Sequence, residues 1–127
     1  MNNEVWSFGS NIRGQLGLGD NTSRNTPTKI HSIKRRVAYA ATFNIVAKFV
    51  SCGDFHTVII DMNNEVWSFG YNREGLLRLG DIIDRNTPTK IPSIKRRVAY
   101  ATTFNIVAKS VSCGYLHTVI IDMNNEV

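Results

Sequence analysis

Three groupings of residues in this chain have types and spacings that could do chemistry. Gly14-Gln15-Leu16-Gly17-Leu18-Gly19 is a glycine-rich run of the kind whose amides cradle phosphate. Cys52 with His56, and Cys113 with His117, set a thiol and an imidazole four residues apart, and Asp20 and Asp81 each follow a Leu-Gly pair. Each grouping falls short of a site. A phosphate loop needs the dinucleotide or Walker spacing and a following helix start, whereas the matching stretch at 75–80 is broken by Arg78. A structural zinc site needs four converging ligands, and a thiolate nucleophile needs an aligned base and a lowered pKa. The aspartates have no second carboxylate at a fixed spacing, so Asx-type turn bonds account for them better, as they do for Asn11 and Asn72. His31 is matched by Pro92 and carries no shared role. No catalytic residue, cofactor or metal is expected.

The remaining charged feature is a pair of basic runs, Lys34-Arg35-Arg36 and Lys95-Arg96-Arg97, within a chain of formal net charge +5. Recurring once per structural unit, they would make a basic belt able to grip phosphates. A solvated loop is the plainer reading, since no aromatic platform for bases is interleaved with them, and moderate net charge also serves solubility.

What positions these residues is a repeat. Residues 1–61 align with 62–122 without a gap and differ at only 13 positions, and 123–127 repeat 1–5 as the start of a third copy. Eight of the 13 differences fall between positions 10 and 23, which predicts an exposed loop tolerant of change; two more are Asp54/Tyr115 and Phe55/Leu116. Identity this high reflects recent duplication or design, so the differences inform more than the identities.

Within one copy the pattern reads as strands. Glu65 to Phe69 is rich in β-formers, with Trp67 and Phe69 on one face. His56 to Asp61 is too uniformly apolar at its centre for a half-exposed strand. Met62-Asn63-Asn64 between them suits a tight hairpin, because asparagine tolerates positive φ. Ile45 to Ser51 is a third strand, Gly9 to Asp20 is loop, and Thr26 to Ile30 is a short outer strand that tolerates Pro27 at an edge. Ser32 to Thr42 fits either a helical turn or an extended segment. This is the grammar of an all-β propeller blade.

Val5-Trp6-Ser7-Phe8-Gly9-Ser10-Asn11, Gly14 to Asp20 and Pro27 together resemble the opening of a regulator of chromosome condensation repeat, and Val50 to Ile60, repeated at Val111 to Ile121, resembles that family's second signature. The resemblance implies a seven-bladed propeller of four-stranded antiparallel blades. Repeats here run 61 residues, somewhat longer than the family's, with the surplus around 31–44, and Asn64 stands where the family often has glycine. Two repeats, 1–61 and 62–122, would leave apolar sheet faces uncovered, so a longer propeller or a self-assembling homo-oligomer, closed by strand exchange, is expected to complete the ring.

The function implied is a non-catalytic protein–protein interaction scaffold with an unnamed protein partner. Lys34, Arg35, Arg36, Lys95, Arg96, Arg97, Asp54, Phe55, Tyr115 and Leu116 are the candidate interaction residues. Two alternatives are nucleotide exchange on a Ran-like small GTPase, which the resemblance alone suggests, and a basic ring on nucleic acid or chromatin. No stretch wedges out uniquely, since both copies carry the 31–44 segment. Cys52 and Cys113 are expected as reduced, buried thiols. No apolar run approaches the ~18 residues of a membrane-spanning helix, so no membrane partner is expected. Met1 to Glu4 shows no secretory pattern, which makes the cytoplasm or nucleus the default compartment.

Overall fold

The computed structural model describes residues 3–35, 40–91, 94–97, 101–104 and 108–122. Every regular element among them is a strand: β1 (Trp6–Gly9), β2 (Arg24–Lys29), β3 (His31–Arg35), β4 (Ala40–Asn44), β5 (Ala47–Cys52), β6 (His56–Asp61), β7 (Val66–Gly70), β8 (Arg85–Lys90), β9 (Ile94–Arg97), β10 (Ala101–Phe104), β11 (Ala108–Cys113) and β12 (Thr118–Asp122). No helix there is long and apolar enough to cross a membrane.

Strands β5-β6-β7-β8 form one four-stranded antiparallel sheet, a complete blade. It straddles the repeat boundary: β5 and β6 come from the first copy and β7 and β8 from the second. Blade and repeat are therefore out of phase, and a 61-residue repeat is not itself a blade. The pair β1-β2 is the outer half of one blade, and β11-β12 the inner half of another. The join between β6 and β7 sets Ile59 opposite Trp67 and Val58 opposite Ser68. Asp61 holds the intervening turn: its carboxylate accepts from the amides of Asn63 (2.8 Å) and Glu65 (2.9 Å) and from Trp67 Nε1 (2.9 Å). Asn64 takes the left-handed conformation at φ 62°, as the Asn-Asn turn anticipates. Segment 31–44 resolves as a hairpin, with Ser32 opposite Phe43 and Arg35 opposite Ala40; residues 36–39 lie outside the described set. Its described parts, 31–35 and 40–44, are extended and pair with each other; Val37, Ala38 and Tyr39, where a helical turn was the alternative, lie outside the described residues.

The apolar centre of β6 is explained by cover on both sides. Ile59 and Phe69 pack with Ile30 and Ile45, and with Val5 and Leu18 of the preceding half-blade. From the opposite face Val58, Ile60 and Val66 pack with Ile91, and with Val111 and Ile120 of the following one. Where such cover is missing among the described residues, equivalent side chains stand in solvent: Phe69 is 0% exposed and its counterpart Phe8 64%. Burying one such side chain contributes about 1.5–3 kcal/mol.

The loop between β1 and β2 corrects the expectation of a freely exposed, tolerant loop. Asn11, Gly14, Gln15, Leu16 and Gly17 are buried, and the loop straps the first half-blade to the complete one. Thr57 Oγ1 donates to the Gln15 carbonyl (2.8 Å), the Gly19 amide donates to the Asn86 carbonyl (2.7 Å), and Gly17 lies against the Phe69 ring. A β-carbon at Gly17 would stand 2.8–3.1 Å from that ring, whereas at Gly75, which shares its φ of 71°, nothing lies within 4 Å. Gly75→Ala therefore meets only the left-handed backbone penalty of about 1–2 kcal/mol, and Gly17→Ala adds a steric clash. Urea denaturation of the two variants should show the Gly17 change as clearly the more destabilising; equal losses would remove the strap from the account.

Candidate interaction face

Chain direction places the long loops 10–23 and 71–84 and the turns at Asp54-Phe55 and Tyr115-Leu116 at the same end of the strands. Each turn is a two-residue hairpin closed from glycine to histidine, Gly53 N to His56 O and Gly114 N to His117 O, both 2.8 Å. The candidate residues Asp54, Phe55, Tyr115 and Leu116 are the tips of these hairpins.

Both long loops are built round one buried asparagine. Asn11 Nδ2 donates to the carbonyls of Asp20 (2.9 Å) and Thr22 (3.1 Å), and its Oδ1 accepts from the Leu16 amide (2.9 Å). Asn72 repeats this with Asp81 (3.1 Å), Ile83 (3.0 Å) and Leu77 (3.0 Å). Asp20 and Asp81 make the expected Asx bonds, to the amides of Thr22 and Ile83 (3.0 Å each). They also pair with Arg24 (2.7 Å) and Arg85 (2.8 Å). These arginines, bonding the carboxylates directly, hold both below the usual range. Even the Ser23/Asp84 difference preserves a bond, since each accepts from the preceding asparagine's amide (3.0 and 2.9 Å). The loops share one rigid frame and differ in what they display.

What they display converges. Phe55 meets Tyr71 at 6.4 Å between ring centroids and Tyr115 at 6.1 Å edge-on, and the Arg13 guanidinium sits 5.2 Å from the Tyr71 ring centre. The Tyr71 amide donates to the Phe55 carbonyl (2.8 Å), locking loop to turn. Every member stands where the two copies differ: Phe55 against Leu116, Tyr71 against Ser10, Tyr115 against Asp54, Arg13 against Glu74. Phe55 and Tyr115 were named from the sequence; Tyr71 and Arg13 were missed, although their positions are among the 13 differences. Around the cluster Asp54 is exposed, as are Ile12, Ile82, Ile83 and Leu116.

The thiol and imidazole groups take up structural places. His56 is buried, with Nε2 2.9 Å from Thr118 Oγ1 of the next half-blade, so its side chain links the two blades. Burial pushes its pKa below the ordinary value of 6.5. Burial also pushes the Cys113 thiol up, away from a reactive thiolate, while its amide donates to Ser51 Oγ (3.0 Å). Cys113 is half-buried, its Sγ 3.4 Å from the Ser51 carbonyl of the neighbouring sheet, and Cys52 is exposed, which corrects the expectation of buried thiols: each ends its strand at the loop-bearing rim. Among the described residues no three His, Cys, Asp or Glu side chains gather as a metal set. Of the basic candidates, Lys34 and Arg35 fall in β3 and Lys95, Arg96 and Arg97 in β9, away from this face; Arg36 lies outside the described residues.

Blade topology, the paired signatures and the asparagine-framed loops converge on one family, whose model, the regulator of chromosome condensation (RCC1) repeat, matches residues 2–60 and 63–121. The chain belongs to the RCC1 repeat family. The ultraviolet-B receptor UVR8 of Arabidopsis thaliana is 33% identical over 119 residues, which is 94% of this chain and 23% of that protein. The human X-linked retinitis pigmentosa GTPase regulator is 37% identical over 86 residues, 68% of this chain and 8% of that protein. Among solved structures, yeast RCC1 (Prp20) bound to Kap60 superposes with a TM-score of 0.61 at 21% identity, over 96% of this chain and 26% of that one, a likeness of fold. This RCC1-repeat chain thus spans under a quarter of the length of either of these curated relatives.

The depressed His56 pKa has a stability consequence. As pH falls through about 6.5 the unfolded chain takes up a proton that the folded chain refuses, so stability declines there and levels off only below the folded pKa. Urea midpoints should be lower at about pH 5.8 than at about pH 7.5, and His56→Gln should flatten that difference. A wild-type midpoint unchanged across this interval would contradict the assignment.

Proposed function

We propose that this chain is a non-catalytic protein-interaction module of the RCC1 type, and that it docks its partner through the strand end bearing Arg13, Phe55, Tyr71 and Tyr115, with Asp54 and Leu116 at the margin. The carrying observation is that this contact cluster is assembled wholly from positions at which the copies differ, so it forms once, at the seam of two unlike repeats. Aromatic side chains and arginine on a rigid frame are also what protein interfaces concentrate. A photo-crosslinking residue at position 115 is expected to capture a protein that Phe55→Ala releases, while the same probe at Met62, at the opposite strand end, captures none. Equal capture from both positions would sink this reading.

A second reading, guanine-nucleotide exchange on a small GTPase, is favoured by one finding: a relative 37% identical over 68% of the chain is a GTPase regulator. Accelerated release of labelled GDP from a Ran-type GTPase would favour exchange; binding without acceleration favours the scaffold.

The exposed Phe8, and Val119 beside the buried Val58 it matches, support completion of the ring by further blades, from a longer chain or from other copies. For the 127-residue chain alone, sedimentation should give a multiple of 14.3 kDa. A well-folded single-chain species would argue against completion by copies.

A further inference from the structure

Two half-blades of this chain carry free edges that fit one another. Within the complete blade, β6 and β7 join His56-Thr57-Val58-Ile59-Ile60-Asp61 to Val66-Trp67-Ser68-Phe69-Gly70. The same two segments occur a second time, at 117–122 and 5–9. There they stand apart: among the described residues β12 pairs only with β11, and β1 only with β2. Their side chains lack the cover that the joined pair has. Val119 is 42% exposed against 0% for Val58, and Phe8 and His117 are exposed where Phe69 and His56 are fully buried. Val50 is exposed as well, although its match Val111 packs on the Val58 cluster.

Building on the ring-completion reading above, we propose that a second molecule of this chain completes the blade begun by β11 and β12, its β1 pairing with β12 in the register that β7 takes on β6. Val119 would lie opposite Ser7 of the second molecule, Thr118 opposite Phe8 and Ile120 opposite Trp6, as Val58, Thr57 and Ile59 lie opposite Ser68, Phe69 and Trp67. Val50 of the second molecule would cover Val119. A hydrogen-bond relay recurs at the same place. Within the chain Thr118 Oγ1 donates to the Leu76 carbonyl (3.2 Å), so the His56 Nε2 at 2.9 Å is its donor. Thr57 Oγ1 likewise donates to the Gln15 carbonyl (2.8 Å), which leaves it a lone pair for His117 of another molecule. The identity of the segments favours this occupant over an unrelated strand, which would supply the backbone ladder without the matched side chains.

The junction between molecules is a loosened version of the internal one. Inside the chain, loop 10–23 holds the following blade: the Asn86 side-chain amide donates to Asn21 Oδ1 (3.2 Å), and Gly17 leaves room for the Phe69 ring. Loop 71–84 would hold the second molecule, and it carries Ile82 in place of Asn21 and Arg78 in place of Gly17. Ile82 has no side-chain acceptor for Asn25 of the second molecule, which matches Asn86. The Arg78 β-carbon stands where the Phe8 ring of that molecule would press. Association between molecules is therefore weaker than stacking within one.

The test mixes two single variants, Ser7→Cys and Val119→Cys, under oxidation. The backbone bonds Asp61 N to Glu65 O and Tyr71 N to Phe55 O make Val58 and Ser68 a non-hydrogen-bonded pair. In such a pair the Cα atoms stand about 4.5 Å apart, within disulfide reach. A disulfide between positions 7 and 119, identified by mass spectrometry so that Cys52 and Cys113 are told apart, should join the two molecules. Ser7→Cys mixed with Ile120→Cys, whose side chains leave opposite faces, should not link. Phe8→Ala alters a residue exposed in the single molecule, so circular dichroism should show the sheets intact. Sedimentation velocity should show its association weakened by roughly ten- to a hundredfold, which decides the matter even if a cysteine variant fails to fold. Arg78→Gly should associate more tightly than the wild type. Association without the link between 7 and 119, equal linking between 7 and 120, unchanged association of Phe8→Ala, or no tightening by Arg78→Gly would each overturn this register while leaving completion of the ring by copies standing. A folded single-chain species at every concentration would remove both. None of these outcomes touches the crosslinking at position 115.

Discussion

A blade of this protein is a sheet buried on both faces, and it owes its core to its neighbours. Val58 and Ile59 are adjacent on one strand and point to opposite sides, yet both are fully buried because a half-blade lies against each side. Such a sheet cannot be stable as an isolated layer, since each face removes apolar area from water only by stacking. The loop strap and the tight packing of Gly17 on Phe69 serve the seam with the preceding half-blade, and the Thr118–His56 link serves the seam with the following one. The proposed interaction face is what remains at one strand end once stacking has used the sheet faces.

This division explains how the repeats can vary without losing their fold. Asn11 and Asn72 make the same set of bonds in both copies, and Ser23 and Asp84 supply the same acceptor with different side chains. Arg78, in contrast, occupies a left-handed position at φ 59° that glycine holds in the first copy. A non-glycine residue there costs about 1–2 kcal/mol, a strain that the first copy avoids where Phe69 presses on Gly17. The second loop thus tolerates a change that the first could not.

Much of this was legible from the chain. The uninterrupted apolar centre of Val58-Ile59-Ile60 reads as two-sided burial, Asn63-Asn64 as a hairpin, and the Pro27 segment as an outer strand, because each depends on local sterics or on period. Segment 32–42 was not legible, because its residues suit helix or strand equally; the strands at its two described ends, 31–35 and 40–44, come from pairing with each other. The interaction cluster was half legible. Tip residues Phe55 and Tyr115 stood out by differing between copies, but nothing local says that Tyr71, from sixteen residues further on, meets Phe55, or that Arg13 reaches Tyr71 from a third segment. The buried half of loop 10–23 was misread for the same reason: glycine-rich turns look solvent-facing until the neighbouring blade is set against them.

The offset between repeat and blade has an evolutionary corollary. Because the boundary at Asp61-Met62 falls in the middle of a sheet, between β6 and β7, inserting or deleting one whole repeat always rejoins an inner pair to an outer pair of the same kind. Every such event changes the number of blades the chain supplies and leaves no severed ladder behind. A gene built this way can change in copy number while each intermediate still encodes paired strands.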